Sequence, residues 1–241
     1  KLSGILKKIT DHPSFSSVEK ITLLGGDPLI MPQLIEIVEN ILSKNNHLKL
    51  DITTGLGVPD KTFYKVMVKL KEIDEKYNLI TPNSNILDLG SAPGGWSQYA
   101  SQKDSSVKIT AVDLLPMQSI ENVNFVQSDI EDFANNFLKK DKFVKIDLVM
   151  SDIAPNISGI DSADVPAMLN LADMVAEIAL NTLNDSGNLL VKLFQGKGTD
   201  NFLKEMREYF EKVKIVKPKA SKSNSREIYM LALKLKYKSI N

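Results

Sequence analysis

The chain has 241 residues, of which 43% are hydrophobic and 25% charged, values that suit one large domain or one domain with an added segment. Its 30 basic and 30 acidic residues give a formal net charge of zero, so any affinity for a polyanion such as a nucleic acid must come from local clusters of charge. The absence of cysteine excludes disulfides, cysteine zinc sites and cysteine-ligated iron–sulfur clusters, and fits a cytoplasmic protein. With two histidines and no apolar run of about 18 residues, we expect neither a histidine-rich metal site nor a transmembrane helix.

Residues 1–59 are predicted to form an N-terminal βα extension, whose role the sequence leaves open. Its predicted elements are a strand at Lys20–Leu24, a helix near Gln33–Ser43 and a strand at Leu48–Thr53. The extension carries six lysines and six acidic residues, so it is not a basic arm. The stretch LLGGDPLIMPQLIEIVENI, followed by DITTG, resembles a strand–helix unit of radical S-adenosylmethionine enzymes, but the cysteine triad of those enzymes is absent.

A long helix is predicted at Asp60–Tyr77, and from Asn85 onward short apolar runs alternate with helical patterns. The clearest of these helices are Pro166–Leu183 and Asp200–Phe210. The predicted strands are Ile86–Leu89, Ile109–Asp113, Val123–Val126, Ile146–Met150, Leu189–Leu193, Val213–Val216 and Ile228–Leu233. This alternation predicts a Rossmann-like α/β domain over residues 60–241, with a mostly parallel seven-stranded sheet and an antiparallel last strand.

The strongest local signal is a glycine-rich loop in NILDLGSAPGGW, residues 85–96. Gly90 begins a tight turn after a strand, and Gly94 and Gly95 lack the Cβ that would keep the backbone from a ligand. Such a loop lies at the carboxyl edge of the sheet, where open α/β folds bind nucleotides. Its G-x-x-x-G-G spacing is not that of dinucleotide-binding dehydrogenases. By itself the loop could also be a purely structural turn.

Two carboxylates, together with this loop, predict a pocket for adenosine. Asp113 ends the second strand in ITAVD, 23 residues after Gly90, where it can accept hydrogen bonds from ribose hydroxyls. Asp129 ends NFVQSD, where its side chain can accept a hydrogen bond from the adenine amino group. Each could instead be a helix N-cap, an alternative that is strongest for Asp129 before Ile130. The glycine loop and both carboxylates, in this order, favour the pocket.

A second group of charged residues is placed for catalysis. Asp152 follows the fourth strand in LVMSDIAPN, and Lys192 lies inside the apolar strand LLVKLF. Because a buried ammonium is costly without a partner, we expect Asp152 to pair with Lys192. The alternative is a lysine that reaches solvent from an edge strand. Glu227 opens the last strand in SREIY.

Five motifs resemble those of the FtsJ-type heat-shock ribosomal RNA methyltransferases: DLGSAPGGWSQ, VDLLPM, VMSDIAPNISG, VKLFQG and SREIYMLAL. The resemblance runs from about Lys69 to Lys236. It implies a class I S-adenosylmethionine methyltransferase fold. It also implies transfer of a methyl group from S-adenosylmethionine to the 2′-hydroxyl of a uridine in large-subunit ribosomal RNA, without a metal.

The resemblance also implies roles for individual residues. The family's Lys–Asp–Lys–Glu tetrad corresponds to Lys69, Asp152, Lys192 and Glu227. Its cofactor residues correspond to Gly94, Trp96, Asp113, Asp129 and Asp152, to which the loop adds Gly90 and Gly95. Lys192 would activate the hydroxyl, as a base or as an orienting cation, while Asp152 fixes Lys192 and Glu227 positions the lysines or the ribose. Around Lys69 the chain reads YKVMVKL where the family has S-R-A-x-x-K-L, so the basic lead-in is missing.

The residues predicted to bind RNA lie in a basic strip, defined as residues 212–226, KVKIVKPKASKSNSR. It holds six basic and no acidic residues and leads into Glu227. Phosphate contacts are expected from Lys217, Lys219, Lys222 and Arg226. A solvated loop is the alternative. The family's basic N-terminal arm has no counterpart in residues 1–60.

The tetrad does not fix the class of RNA, because 2′-O-methyltransferases of transfer RNA and of messenger RNA caps share it. A catalytically idle RNA-binding protein on the same fold is the alternative from another class. An intact Asp–Lys–Glu set argues against it, and the altered segment before Lys69 argues for it. The partner expected is RNA, with neither a membrane nor a metal, and the protein is expected to be a cytoplasmic monomer.

Overall fold

The structure is a computed structural model that describes residues 20–24, 49–53, 61–138, 145–221 and 225–236. The chain divides into two compact units, residues 1–68 and 69–241, and each is described by itself. In the first unit, strands β1 (Lys20–Leu24) and β2 (Lys49–Thr53) pair in parallel. Both agree with the predicted strands. The helix predicted near Gln33–Ser43 lies outside the described residues, and the boundary after residue 59 stays a prediction.

The second unit contains a seven-stranded sheet in the order β5-β4-β3-β6-β7-β9-β8. Helix α1 (Lys61–Tyr77) enters this unit at Lys69. The strands are β3 (Asn85–Leu89), β4 (Lys108–Asp113), β5 (Val123–Gln127), β6 (Ile146–Ser151), β7 (Leu183–Phe194), β8 (Phe210–Val216) and β9 (Glu227–Leu235). The other helices are α2 (Gly95–Lys103), α3 (Ile130–Leu138), α4 (Asp161–Thr182) and α5 (Thr199–Tyr209).

The apolar strands of the sequence form the middle of this sheet. Leu87, Leu89, Val149 and Val191 are completely buried, as expected for strands that are covered on both faces. The strands are parallel except for β9, which is antiparallel to both β7 and β8. The predicted α/β sheet, with an antiparallel last strand, is confirmed.

Three predicted bounds were wrong by three residues or more, one of them the start of β8, which is Phe210 and not Val213. Helix α4 begins at Asp161 and not at Pro166, because the backbone N–H groups of Ala163 and Asp164 already bond to the Ile160 carbonyl. Asp161 and Asp164 also place negative charge in the first turn, where the helix dipole favours it. Strand β7 begins at Leu183 and not at Leu189, because Leu183 already pairs with Ile146 of β6, before a shift in register.

The topology brings several strand ends to one edge of the sheet. Strands β3, β4, β6 and β7 all end there, since they are parallel. Strand β9 runs the other way and starts there, with Glu227 opposite Phe194, the last residue of β7. Residues that follow parallel strands can therefore meet the first residues of β9. Among the described residues, no helix is long and apolar enough to cross a membrane.

Candidate active site

Four charged side chains from different elements form two ion pairs at this edge. Lys69 comes from α1, and its Nζ lies 2.6 Å from Glu227 Oε1. Lys192 comes from β7, and its Nζ lies 3.3 Å from Asp152 Oδ1 and donates to the Asp152 backbone carbonyl. All four side chains are largely buried. The structure thus brings together the residues predicted as a tetrad, while their catalytic roles stay predictions.

Tyr229, which the sequence analysis missed, links the two ion pairs. Its hydroxyl donates to Asp152 Oδ1 at 2.7 Å, and its ring lies 5.8 Å from Lys69 Nζ. The ring centroid of Trp96 is 5.7 Å away. Burial, together with the charges of Asp152 and Glu227, raises the pKa of the Tyr229 hydroxyl well above its usual value. Tyr229 therefore stays a hydrogen-bond donor at neutral pH. The motif SREIY contains it, but only the pairing of Tyr229 with Lys192 across β7 and β9 shows its place.

Glu227 is held as a carboxylate. Burial alone would raise its pKa, but the hydrogen bond and charge of Lys69, with help from Ser221 and Lys192, lower it. The Ser221 hydroxyl donates to Glu227 Oε1 at 2.8 Å. The charge of Glu227 is therefore available to fix Lys69 at neutral pH.

The glycine loop lies where the sequence predicts it, directly after β3. Gly90 and Gly94 have φ angles of 72° and 105°, which favour glycine. A Cβ at Gly90 would lie 2.6 Å from Cβ of Ile153, the residue after Asp152. Gly90 thus lets the loop approach the segment that follows β6. Gly95 and Trp96 form the first turn of α2, and Trp96 is buried.

The carboxylates of Asp113 and Asp129 both bond to nearby backbone. Asp113 Oδ2 accepts from Ala92 N at 2.9 Å and its Oδ1 from Leu115 N at 2.8 Å, which ties the glycine loop to the end of β4. Asp129 Oδ1 accepts from Glu131 N at 2.8 Å, the geometry of an N-cap on α3. The alternative role foreseen for Asp129 is thus present, and its contact with a cofactor stays a prediction.

One buried atom in the glycine loop fits a bound ligand. Among the described residues, only Ser91 Oγ is a buried side-chain polar atom without a hydrogen-bond partner. Such atoms are normally paired, so this hydroxyl suits a polar group supplied by a ligand. The free hydroxyl and the close glycine backbone together fit the expected S-adenosylmethionine. In the same part of the chain, no group of acidic or histidine side chains is arranged to hold a metal ion.

Asp88 is a second functional candidate that the sequence analysis missed. It lies in β3 and is buried, and the Ser97 hydroxyl donates to its Oδ2 at 2.6 Å. Burial raises its pKa to about 7, partly offset by Ser97 and reinforced by the charges of Asp152 and Asp113. An acidic residue inside an apolar strand was the available signal, the same one that identified Lys192. Asp88 joins β3 to the helix that follows the glycine loop.

The residues predicted to bind RNA are only partly described. Lys217 Nζ donates to the Ser225 carbonyl at 2.6 Å, and an Arg226 nitrogen lies 2.5 Å from Asp161 Oδ1. Lys219 is exposed, whereas Lys222 lies outside the described residues. The basic strip borders Glu227, and its contact with RNA stays a prediction.

A family model and curated relatives both match this chain to methyltransferases. The family model described as FtsJ-like methyltransferase matches residues 65–235. Proteins named ribosomal RNA large subunit methyltransferase E are 43% identical in Legionella pneumophila, covering 70% of this chain and 83% of the relative. The relative of the same name in Buchnera aphidicola is 46% identical, with 68% and 81% covered.

Solved structures share the fold. A ribosomal RNA methyltransferase from Plasmodium falciparum superposes with a TM-score of 0.62 and 27% identity, covering 72% of this chain and 98% of that one. Human methyltransferase-like protein 13, solved in complex with SAH, has a TM-score of 0.55 and 11% identity, with 76% and 85% covered. The second likeness concerns the fold alone. Together with the sheet order, these matches identify a class I methyltransferase fold.

Proposed function

Because this chain belongs to the FtsJ-like methyltransferase family, we propose that it methylates a ribose 2′-hydroxyl of large-subunit ribosomal RNA, with S-adenosylmethionine as the methyl donor. The proposal rests on two ion pairs, Lys69 with Glu227 and Lys192 with Asp152. Tyr229 lies between them and donates a hydrogen bond to Asp152. The names of the relatives support the choice of RNA, and a uridine is the expected nucleotide. A ribosomal substrate also supports a cytoplasmic localisation.

The residues that would hold the cofactor surround the glycine loop. Gly90, Gly94 and Gly95 allow close approach to the backbone, and the Ser91 hydroxyl has a hydrogen bond to give or accept. Asp113 and Asp129 each use one lone pair per bonded oxygen for the backbone, so acceptor capacity remains for ribose hydroxyls and an adenine amino group. When bound, S-adenosylmethionine supplies an electrophilic methyl group.

Lys192 is the residue proposed to act on the hydroxyl. Its Nζ is fixed by two acceptors of the same residue, the backbone carbonyl and Oδ1 of Asp152. A tetrahedral nitrogen with two directions used has a third for the ribose hydroxyl. Tyr229 donates to the same Oδ1 of Asp152 and so helps to limit the rotation of that side chain. Correct positioning of reacting groups can contribute about 7–11 kcal/mol to such a reaction.

Lys69 and Glu227 are proposed to position the ribose. Their ion pair places an ammonium and a carboxylate beside the Tyr229 ring, so both a donor and an acceptor are available to the sugar. Because Ser221 also bonds to Glu227, the carboxylate is held by a residue inside the basic strip. This pair is expected to act mainly on substrate affinity, and Lys192 mainly on turnover.

The test is methyl transfer from labelled S-adenosylmethionine to three substrates: unmodified bacterial large ribosomal subunits, bare large-subunit ribosomal RNA and transfer RNA. Digestion and mass spectrometry would then locate any 2′-O-methyl nucleotide. We expect one modified nucleotide in large-subunit RNA. Methylation of transfer RNA alone would replace the proposed substrate. Cofactor binding without transfer to any of the three would favour the idle RNA-binding alternative.

A further inference from the structure

The segment between β6 and α4, residues 153–160, is here named the β6–α4 loop. Both of its ends are attached to the candidate active site. It starts after Asp152, which contacts Lys192 and Tyr229. It ends before Asp161, which pairs with Arg226, the neighbour of Glu227. The loop therefore borders the place where the ribose is expected.

The end of the β6–α4 loop is anchored by one buried carboxylate. Asp164 is 3% exposed, and its Oδ1 accepts from the backbone N and the hydroxyl of Ser158, at 2.8 and 2.7 Å. Its Oδ2 accepts from Gly159 N at 2.9 Å. These bonds lower the pKa of Asp164, so the anchor is charged at neutral pH. Asp164 thus ties the end of the loop, at Ser158 and Gly159, to α4.

The β6–α4 loop leaves two large apolar side chains in solvent. Ile157 is 65% exposed and Ile160 is 60% exposed. Of the exposed large apolar residues in the described part of the chain, the others are Leu114 and Leu115, which follow Asp113, and Ile215 on β8. An ordered loop that holds isoleucines in water beside an active site gains no folding stability from them. Such a surface suits a ligand with an apolar face.

Arg226 forms an ion pair with the carboxylate that follows the β6–α4 loop. Its guanidinium pairs with Asp161, and the two side chains are 40% and 71% exposed. Exposed ion pairs of this kind contribute little, whereas arginine binds phosphate through strong paired hydrogen bonds. A phosphate of the RNA can therefore replace the Asp161 carboxylate at small cost. The same carboxylate lies at the end of the β6–α4 loop.

We propose that the β6–α4 loop is the binding site for the nucleotide that is methylated. Ile157 and Ile160 contact the face of its base, and Asp161 holds Arg226 until an RNA phosphate replaces it. RNA modules commonly bind unstacked bases between side chains, and enzymes that act on an unstacked nucleotide use apolar side chains for this purpose. A base with a neighbouring phosphate matches the apolar pair and the cation. This inference rests on the proposed function.

The apolar half is tested with Ile157→Ser and Ile160→Ser combined, and with Ile157→Val and Ile160→Val combined as the matched control. The assay is methylation of large-subunit ribosomal RNA under varied RNA concentration. We expect the serine variant to raise KM for RNA at least about tenfold, from the lost apolar contact area, with kcat near wild type. The valine variant should stay close to wild type. Thermal stability and cofactor affinity should not change, because both side chains are exposed.

The charged half is tested with Asp161→Asn, with Asp200→Asn as control. Both aspartates lie in the first turn of a helix, so both variants remove one negative charge from an equivalent position. Asp161→Asn should tighten RNA binding about two- to fivefold, the range of an exposed ion pair. The gain should disappear when Arg226→Ala is also present, and Asp200→Asn should show no such dependence on Arg226.

The outcomes are distinct. If wild type methylates no RNA, the proposed function fails, and this inference fails with it. If wild type is active but the serine and valine variants have equal KM, the loop does not bind the base. If Asp161→Asn tightens RNA binding no more than Asp200→Asn does, Asp161 does not compete with an RNA phosphate for Arg226.

Discussion

Lys192 places an amine beside the carboxylate and the backbone carbonyl of one residue, Asp152. We expect Lys192→Ala to reduce turnover at least about a hundredfold, as for loss of a positioned proton-transfer group, and to leave cofactor affinity nearly unchanged. Single-turnover rates and calorimetry measure the two quantities. A rate within threefold of wild type would remove Lys192 from catalysis.

Lys192→Arg separates the two roles that the sequence leaves open for this lysine. An arginine keeps the positive charge and the hydrogen-bond donors, but it does not accept a proton at neutral pH. Rates as low as those of Lys192→Ala would indicate proton removal by Lys192. Recovery to near wild type would indicate that an orienting cation is sufficient.

The raised pKa of Asp88 leads us to expect that the free energy of unfolding depends on pH. Its pKa is raised from 3.8 to about 7 in the folded protein, so between these values the folded state binds more protons than the unfolded state. The free energy of unfolding should therefore fall as pH rises from about 4 to about 7, by roughly 4 kcal/mol at about 1.4 kcal/mol per pKa unit. Asp88→Asn keeps an acceptor for Ser97 and removes the ionisation.

Urea unfolding at several pH values tests this expectation. Asp88→Asn should flatten the decline and make the protein more stable than wild type at pH 8. If both proteins lose the same stability over this window, Asp88 ionises in the folded state as it does in the unfolded chain. The missed role of Asp88 has a physical origin, because the sequence shows an acid in a strand but not Ser97 against it.

At the scale of elements, Asp74 joins α1, which carries Lys69, to α2, which follows the glycine loop. Asp74 is 1% exposed, and its Oδ1 accepts from Leu79 N and Ile80 N at 2.8 and 2.9 Å. Its Oδ2 accepts from the Tyr99 hydroxyl at 2.9 Å and from Lys103. One carboxylate thus ends α1 and fixes it against α2.

Asp74→Ala should lower the free energy of unfolding by about 2–4 kcal/mol, because it leaves buried donors without an acceptor. The matched control is Glu75→Ala, the exposed next residue on the same helix, which should change stability by less than about 0.5 kcal/mol. Denaturant unfolding followed by circular dichroism gives both values. Equal effects would mean that Asp74 does not hold the helices together.

The elements were predictable to different degrees. All seven strands of the sheet were predicted from apolar runs. The pattern is strong in the central strands because they are buried on both faces, whereas the edge strands β5 and β8 are mostly half-buried or exposed. The start of α4 was misplaced, since Pro166 is a usual first helical residue but here lies inside the helix. Tyr229 was missed because its contact with Asp152 depends on the β7–β9 register, which one strand's sequence does not contain.

At the scale of the whole molecule, residues 1–58 are expected to be dispensable for cofactor binding. They contain no charge cluster and no residue of the tetrad or the glycine loop. A chain that begins at Pro59 should bind S-adenosylmethionine with the affinity of the full chain, as measured by calorimetry. If the shortened chain folds but loses the cofactor, the N-terminal segment belongs to the pocket and the proposed boundary is wrong.

The balance of charge over the whole molecule makes RNA binding a local property. With 30 basic and 30 acidic residues, the protein has no net attraction for RNA, so the six cations of the basic strip should supply much of the affinity. If about three of them contact phosphates, the slope of log affinity against log salt should be near −2.

Lys217→Ala with Lys219→Ala should flatten this slope by about 1.4, at about 0.7 per contact, and raise KM for RNA. Lys108→Ala with Lys204→Ala removes the same charge from exposed lysines outside the strip and should leave the slope unchanged. If the two pairs give the same slope, RNA is held elsewhere, and Lys61, Lys65 and Lys71 are the next residues to test.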